Sequence, residues 1–155
     1  MNINIPQTYF SKLMRAVVEF ELIDNGDRIL IGVSGGKDSI FLTYALAILR
    51  ERLKKDFTIA AFTVNPQFDD PFDTDVIAAF CKSLDDAVET FLMSLFYSGQ
   101  LNTFRPKTYL DKTGITVIRP LVYFREQEII DAIPLHGFTP IPSPCPHNGN
   151  TTRQT

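Results

Sequence analysis

Arg28-Ile29-Leu30-Ile31-Gly32-Val33-Ser34-Gly35-Gly36-Lys37-Asp38-Ser39 runs from an apolar strand through a glycine turn into a helix. Ile29, Leu30, Ile31 and Val33 have the near-continuous apolar character of a strand covered on both faces. Two glycines let the backbone turn tightly and approach an anion without Cβ clashes. The N–H groups that open the next helix have no partner within the helix and carry the positive end of its dipole. Ser34 and Ser39 add hydroxyls and Lys37 a full positive charge, so the six residues Ser34, Gly35, Gly36, Lys37, Asp38 and Ser39 form a nest for a phosphate or pyrophosphate. The spacing is not that of a Walker A loop: three residues separate Gly32 from Gly36, and Asp38 follows Lys37 where that motif has Ser or Thr. The Asp38 carboxylate can approach a metal ion carried on the phosphates. The competing reading, a surface turn whose glycines serve only tightness, does not account for the whole hexapeptide between strand and helix.

Around this stretch the chain alternates helix and strand. Phe10, Leu13, Met14, Val17 and Val18 put an apolar stripe on a helix from about Pro6 to Ile23. Asp24-Asn25-Gly26-Asp27 ends it. The helix after the glycine turn runs from about Lys37 to Lys55, with Ile40, Phe41, Tyr44, Ala45 and Ile48 on its buried side. Phe57 to Val64 is a second strand, which completes a βαβ unit and predicts a parallel pair. Asn65 to Asp73 is a loop, and Asp73 or Thr74 caps the next helix. The apolar spacing from Val76 through Leu84 to Leu95 predicts one continuous helix to about Tyr97. Thr116 to Val122 is a short strand limited by Pro120, and Phe124 to Ile133 a short helix stopped by Pro134. The expected divisions are an N-terminal helix over 1–27, a nucleotide-binding unit over 28–133 and a loop-rich tail over 134–155. The fold class is α/β, a parallel twisted sheet with flanking helices and the ligand at the carboxyl ends of the strands.

The 155 residues suffice for one domain with a real core. A net charge of −3 gives no whole-protein attraction to nucleic acid, so any RNA contact must come from a local patch. Arg105, Lys107, Lys112, Arg119 and Arg125 gather in the second half, with Phe104 and Tyr109 available for stacking; a solvated basic surface is the plainer alternative. Two cysteines cannot build a secreted disulfide framework and fit a reducing cytoplasm. The N-terminus lacks a signal-peptide pattern and no apolar stretch is long enough to span a bilayer, so no membrane association is expected.

Val33-Ser34-Gly35-Gly36-Lys37-Asp38-Ser39 resembles the PP-loop of the N-type ATP pyrophosphatases, which cleave ATP between its α and β phosphates. Three later blocks are similar to the tRNA 2-thiocytidine synthetase branch. They are Leu84-Asp85-Asp86 with the stretch to Gly99, Thr116 to Glu126, and Pro142-Ser143-Pro144-Cys145 with Asn150 to Gln154. The resemblance runs from about Arg28 onward. It implies binding of ATP and Mg²⁺, adenylation of a tRNA cytidine O2, and replacement of AMP by sulfur from a donor such as a cysteine desulfurase. It implies Lys37, Asp38 and Asp86 as catalytic residues, and Asp38, Asp85, Asp86 and Cys145 as metal ligands. It further implies a cytoplasmic enzyme, expected as a homodimer.

The family's internal Cys-x-x-Cys pair, which with a later Cys holds an iron–sulfur (4Fe-4S) cluster, is absent. Cys145 matches the later Cys, whereas Cys81 lies on an apolar stripe and reads as a core residue. Lys82-Ser83-Leu84 stands where the family has His-His-x before the Asp pair. The economical explanation is a segment missing between about Ser83 and Asp85, at least a strand–helix–strand unit of about 50 residues. Without its thiolates a cluster is not expected. By themselves, Asp85 and Asp86 read more readily as a solvated helix start than as functional carboxylates. Two other readings remain: a PP-loop enzyme acting on a non-RNA substrate, and a nucleotide-binding remnant without catalysis.

Overall fold

The computed structural model describes residues 5–64, 73–84, 89–93, 105–111, 113–134 and 139–141. In chain order the elements are α1 (Gln7–Glu19), β1 (Arg28–Gly32), α2 (Lys37–Arg52), β2 (Thr58–Val64), α3 (Thr74–Ser83), β3 (Glu89–Met93), β4 (Lys107–Leu110), β5 (Ile115–Ile118) and α4 (Glu126–Ala132). Strands β1, β2 and β3 form a parallel sheet in that order, and β4 and β5 a separate antiparallel hairpin. The βαβ unit read from the sequence is therefore present, with Arg28 opposite Thr58 and Gly32 opposite Phe62.

Helix α2 is the centre of the molecule. Ile40, Phe41, Thr43, Tyr44 and every residue from Ala45 to Leu49 are buried, so the helix is covered on more than the one face its apolar stripe predicted. It meets Ile31 and Val33 of the β1 segment, Ile59 and Ala61 of β2, and Leu13, Ala16 and Val17 of α1 in one core cluster. A second cluster joins Ile40 and Phe41 to Ile129, Ala132 and Ile133 at α4. Gly26, at φ +85°, makes the turn before β1, where its N–H donates to the Asp56 carbonyl at 2.6 Å and ties together the approaches to both strands.

Two expectations are corrected. The continuous helix from Val76 to Tyr97 does not form: α3 stops at Ser83, and residues 89–93 are a strand paired with β2, Ala60 opposite Glu89. Helical spacing across an apolar run does not exclude a strand, and the open edge of β2 supplies backbone partners that a lone helix extension lacks. The front of that helix is as read, because the Asp73 carboxylate caps it by accepting from Asp75 N and Val76 N at 3.0 and 3.3 Å. Strand β1 is also not covered on both faces. Ile31 is buried, but Leu30 is 61% exposed.

Candidate functional site

Pairing between β1 and β2 continues one residue into the glycine loop, where Val33 N–H donates to the Phe62 carbonyl at 2.7 Å. Gly35 then turns the chain at φ +80°, a conformation that L side chains rarely adopt. It is also buried against Ile141: a Cβ at Gly35 would lie 3.1 Å from Ile141 Cβ, and Ile141 N–H donates to the Gly35 carbonyl at 2.9 Å. Gly36 is extended (φ −72°, ψ 158°) and precedes α2 without a side-chain cap. The orphan N–H groups of the first helical turn are thus left uncapped by Gly36 at the carboxyl end of β1, the arrangement that receives an anion. Ser34 and Ser39 brace the loop from within. Their hydroxyls are 3.2 Å apart, Gly36 N–H donates to Ser34 Oγ at 3.4 Å, and Ser39 Oγ donates to the Gly36 carbonyl at 3.0 Å.

Lys37 is the first residue of α2. Its Nζ lies 3.3 Å from Asp38 Oδ1 and 3.0 Å from Glu126 Oε1 at the start of α4. Partial burial pulls the ammonium pKa down, but the hydrogen bond to Glu126 and the charges of Asp38 and Glu126 outweigh it, and the net shift is upward. Lys37 is therefore a fixed cation at neutral pH. The start of α4 is set by aromatic packing: Phe124 meets Phe41 edge-on at 5.3 Å and Tyr9 at 5.8 Å. Glu128 accepts from Arg125 N–H at 2.9 Å and pairs with Lys12 of α1. The backbone hydrogen bond first, and the Lys12 contact second, hold its carboxyl below the usual carboxylate range.

Six of the nine site residues read from the sequence therefore come together in one loop. Asp85, Asp86 and Cys145 lie outside the described residues. Cys81 is fully buried in the core, as its place on the apolar stripe implied. Among the described residues no three His, Cys, Asp or Glu side chains converge as a metal site, and no helix is long and apolar enough to cross a membrane. Of the basic residues, Lys107 donates to the Glu21 carbonyl and Arg119 Nη1 to the Arg105 carbonyl at 2.6 Å, while Tyr109 is exposed. A cavity of about 690 Å³ lies between the start of β1 and β5 and includes none of the loop residues. The chemistry favours the loop, because an anion nest built from backbone N–H groups lies open at a helix end instead of forming a closed chamber. Sequence reasoning missed Glu126 and Ile141 as parts of this site. Glu126 was visible only as a member of the Thr116 to Glu126 block, and nothing local marks Ile141.

No family model matches the chain. The chain is 31% identical over 195 positions to the tRNA-cytidine(32) 2-sulfurtransferase of Geobacter metallireducens, with 90% of this chain and 76% of that protein covered. It is 30% identical to the protein of the same name from Geobacter sulfurreducens at the same coverage, and 30% identical to that of Syntrophotalea carbinolica over 85% of this chain and 72% of that one. A solved structure, the U34-tRNA thiolase NcsA from Methanococcus maripaludis with its 4Fe-4S cluster, matches 56% of this chain and 29% of its own at 20% identity and a TM-score of 0.47. The first alignment is 195 positions long yet takes in 90% of a 155-residue chain. The relative thus has about 55 positions without a counterpart here, enough for one strand–helix–strand unit.

Proposed function

The chain belongs to the tRNA-cytidine(32) 2-sulfurtransferase family, and on that footing we propose that its glycine loop binds MgATP and that it adenylates O2 of a tRNA cytidine. The observation that carries this reading is the loop itself: a left-handed Gly35, an N-terminus of α2 with no side-chain cap, and a charged Lys37 at its mouth. Cytidine O2 attacks the α phosphorus, the bond from that phosphorus to the bridging oxygen breaks, and pyrophosphate leaves. The N–H groups of the loop and Lys37 stabilise the negative charge that grows on the departing group. Mg²⁺ riding on the phosphates would neutralise further charge, with Asp38, which is exposed, and Asp85 and Asp86 as its candidate ligands. A sulfur nucleophile from a donor such as a cysteine desulfurase then attacks C2, and AMP leaves.

An iron–sulfur cluster with three protein thiolates does not fit this chain. It has two cysteines, and Cys81 is enclosed in the core at α3. RNA contact falls to Arg105, Lys107, Arg119 and Arg125, with the exposed Tyr109 for stacking. The protein acts in the cytoplasm, as a homodimer.

The missing thiolates favour one other reading, a nucleotide-binding remnant that no longer transfers sulfur. Pyrophosphate release from ATP, measured with and without tRNA, separates the possibilities. Release that depends on tRNA supports adenylation. MgATP binding without release leaves the remnant, and release driven only by a small amide or carboxylate assigns a different substrate class.

A further inference from the structure

We propose that Glu126 is a positioning residue for Lys37, holding its ammonium in place jointly with Asp38 while leaving one N–H free for a phosphate oxygen. This rests on the reading of the loop as a nucleotide site. An ammonium has three donors. Among the described residues, Asp38 and Glu126 are its acceptors, at 3.3 and 3.0 Å. A cation on the first residue of a helix faces the positive end of the dipole and is driven outward. Two carboxylates oppose that push and fix a long side chain that would otherwise sample many rotamers.

Isolated surface ion pairs contribute little, largely because both partners must be ordered to meet. Here the ordering is already done by packing. Lys37 and Phe41 are four residues apart and share a face of α2. Phe124, two residues before Glu126, lies against Phe41, and Tyr9 closes the group from α1. Ile129, Ala132 and Ile133 seat the rest of α4 on Ile40 and Phe41. The ring contact and the ion pair therefore lie side by side across the same two helices.

The test is a double-mutant cycle read by calorimetric titration with MgATP, using wild type, Glu126→Gln, Lys37→Ala and the double variant. Glu126 is largely exposed, so Glu126→Gln should keep the wild-type melting curve. Glu126→Gln is expected to weaken MgATP binding about three- to tenfold, the cost of ordering one long side chain, when Lys37 is present. It should do nothing further once Lys37 is alanine. Equal weakening in both backgrounds would make Glu126 a structural residue and overturn the proposal. Tighter binding in either background would make it a competitor or a repelling charge, and no change would remove its role. A wild-type chain that takes up no MgATP would sink the nucleotide reading itself, which is a distinct result from a flat cycle in a chain that binds.

Discussion

Gly35→Ala is the sharpest test of the loop geometry. The new methyl meets two independent penalties. The backbone stands at φ +80°, where a non-glycine residue loses about 1–2 kcal/mol. The Cβ would also lie 3.1 Å from Ile141 Cβ and 3.2 Å from its Cδ1, and pushing a packed neighbour aside costs about 1–3 kcal/mol. The sum is about 2–5 kcal/mol, a large share of a typical stability of about 5–15 kcal/mol. At about 2–4 °C per kcal/mol for a chain of this size, the melting temperature should fall by about 4–20 °C. Gly36→Ala is the control. Gly36 has φ −72° and its nearest neighbour is Ser34 Oγ at 3.5 Å, so the loss there should stay below about 1 kcal/mol. Thermal melts by circular dichroism compare the two. In an Ile141→Ala background the Gly35→Ala penalty should shrink only in part, because the Cδ1 and Cγ1 contacts go while the Cβ at 3.1 Å stays. If Gly35→Ala melts no lower than Gly36→Ala, the positive φ and the Ile141 contact are not features of the folded protein and the account of the loop fails.

Lys37→Ala should weaken MgATP binding about tenfold or more, the worth of a charge-assisted hydrogen bond, and abolish pyrophosphate release with the melt unchanged; undiminished release would remove Lys37 from the chemistry. Glu128 has a lowered carboxyl pKa, so its stabilising contribution is present above the ordinary carboxylate range and is lost as pH falls through the lowered value. Urea melts should therefore lose stability more steeply below about pH 4.5 in wild type than in Glu128→Gln, and parallel profiles would contradict the Arg125 and Lys12 contacts. Anaerobic reconstitution with iron and sulfide should yield less than one 4Fe-4S cluster per chain, and a full cluster abolished by Cys145→Ala would show that the thiolate count has been misjudged. Cys81 should resist thiol reagents until the chain is unfolded, given its complete burial; labelling under native conditions would place it outside the core.

The features of the site carried by a few adjacent residues were legible in the chain itself. Two glycines before a helix specify a backbone that exposes N–H groups, whatever surrounds them. The Asp73 cap and the βαβ unit were legible for the same reason. Residues 89–93 were not, because their helical spacing was in phase with α3 and the choice between helix and strand depended on the free edge of β2. The exposure of Leu30 escaped in the same way: an apolar strand residue looks alike whether or not another layer lies over it.

Sequence alone determined that a glycine turn opens a helix at Ser34 to Ser39, since torsional freedom and helix polarity are properties of consecutive residues. Only the tertiary structure decided who stands around that turn. Glu126 reaches Lys37 because Tyr9, Phe41 and Phe124 dock α4 beside α2, and Ile141 closes on Gly35 from the far end of the chain. Such contacts join residues distant in sequence, and their energy comes from burial and packing that no local spacing encodes.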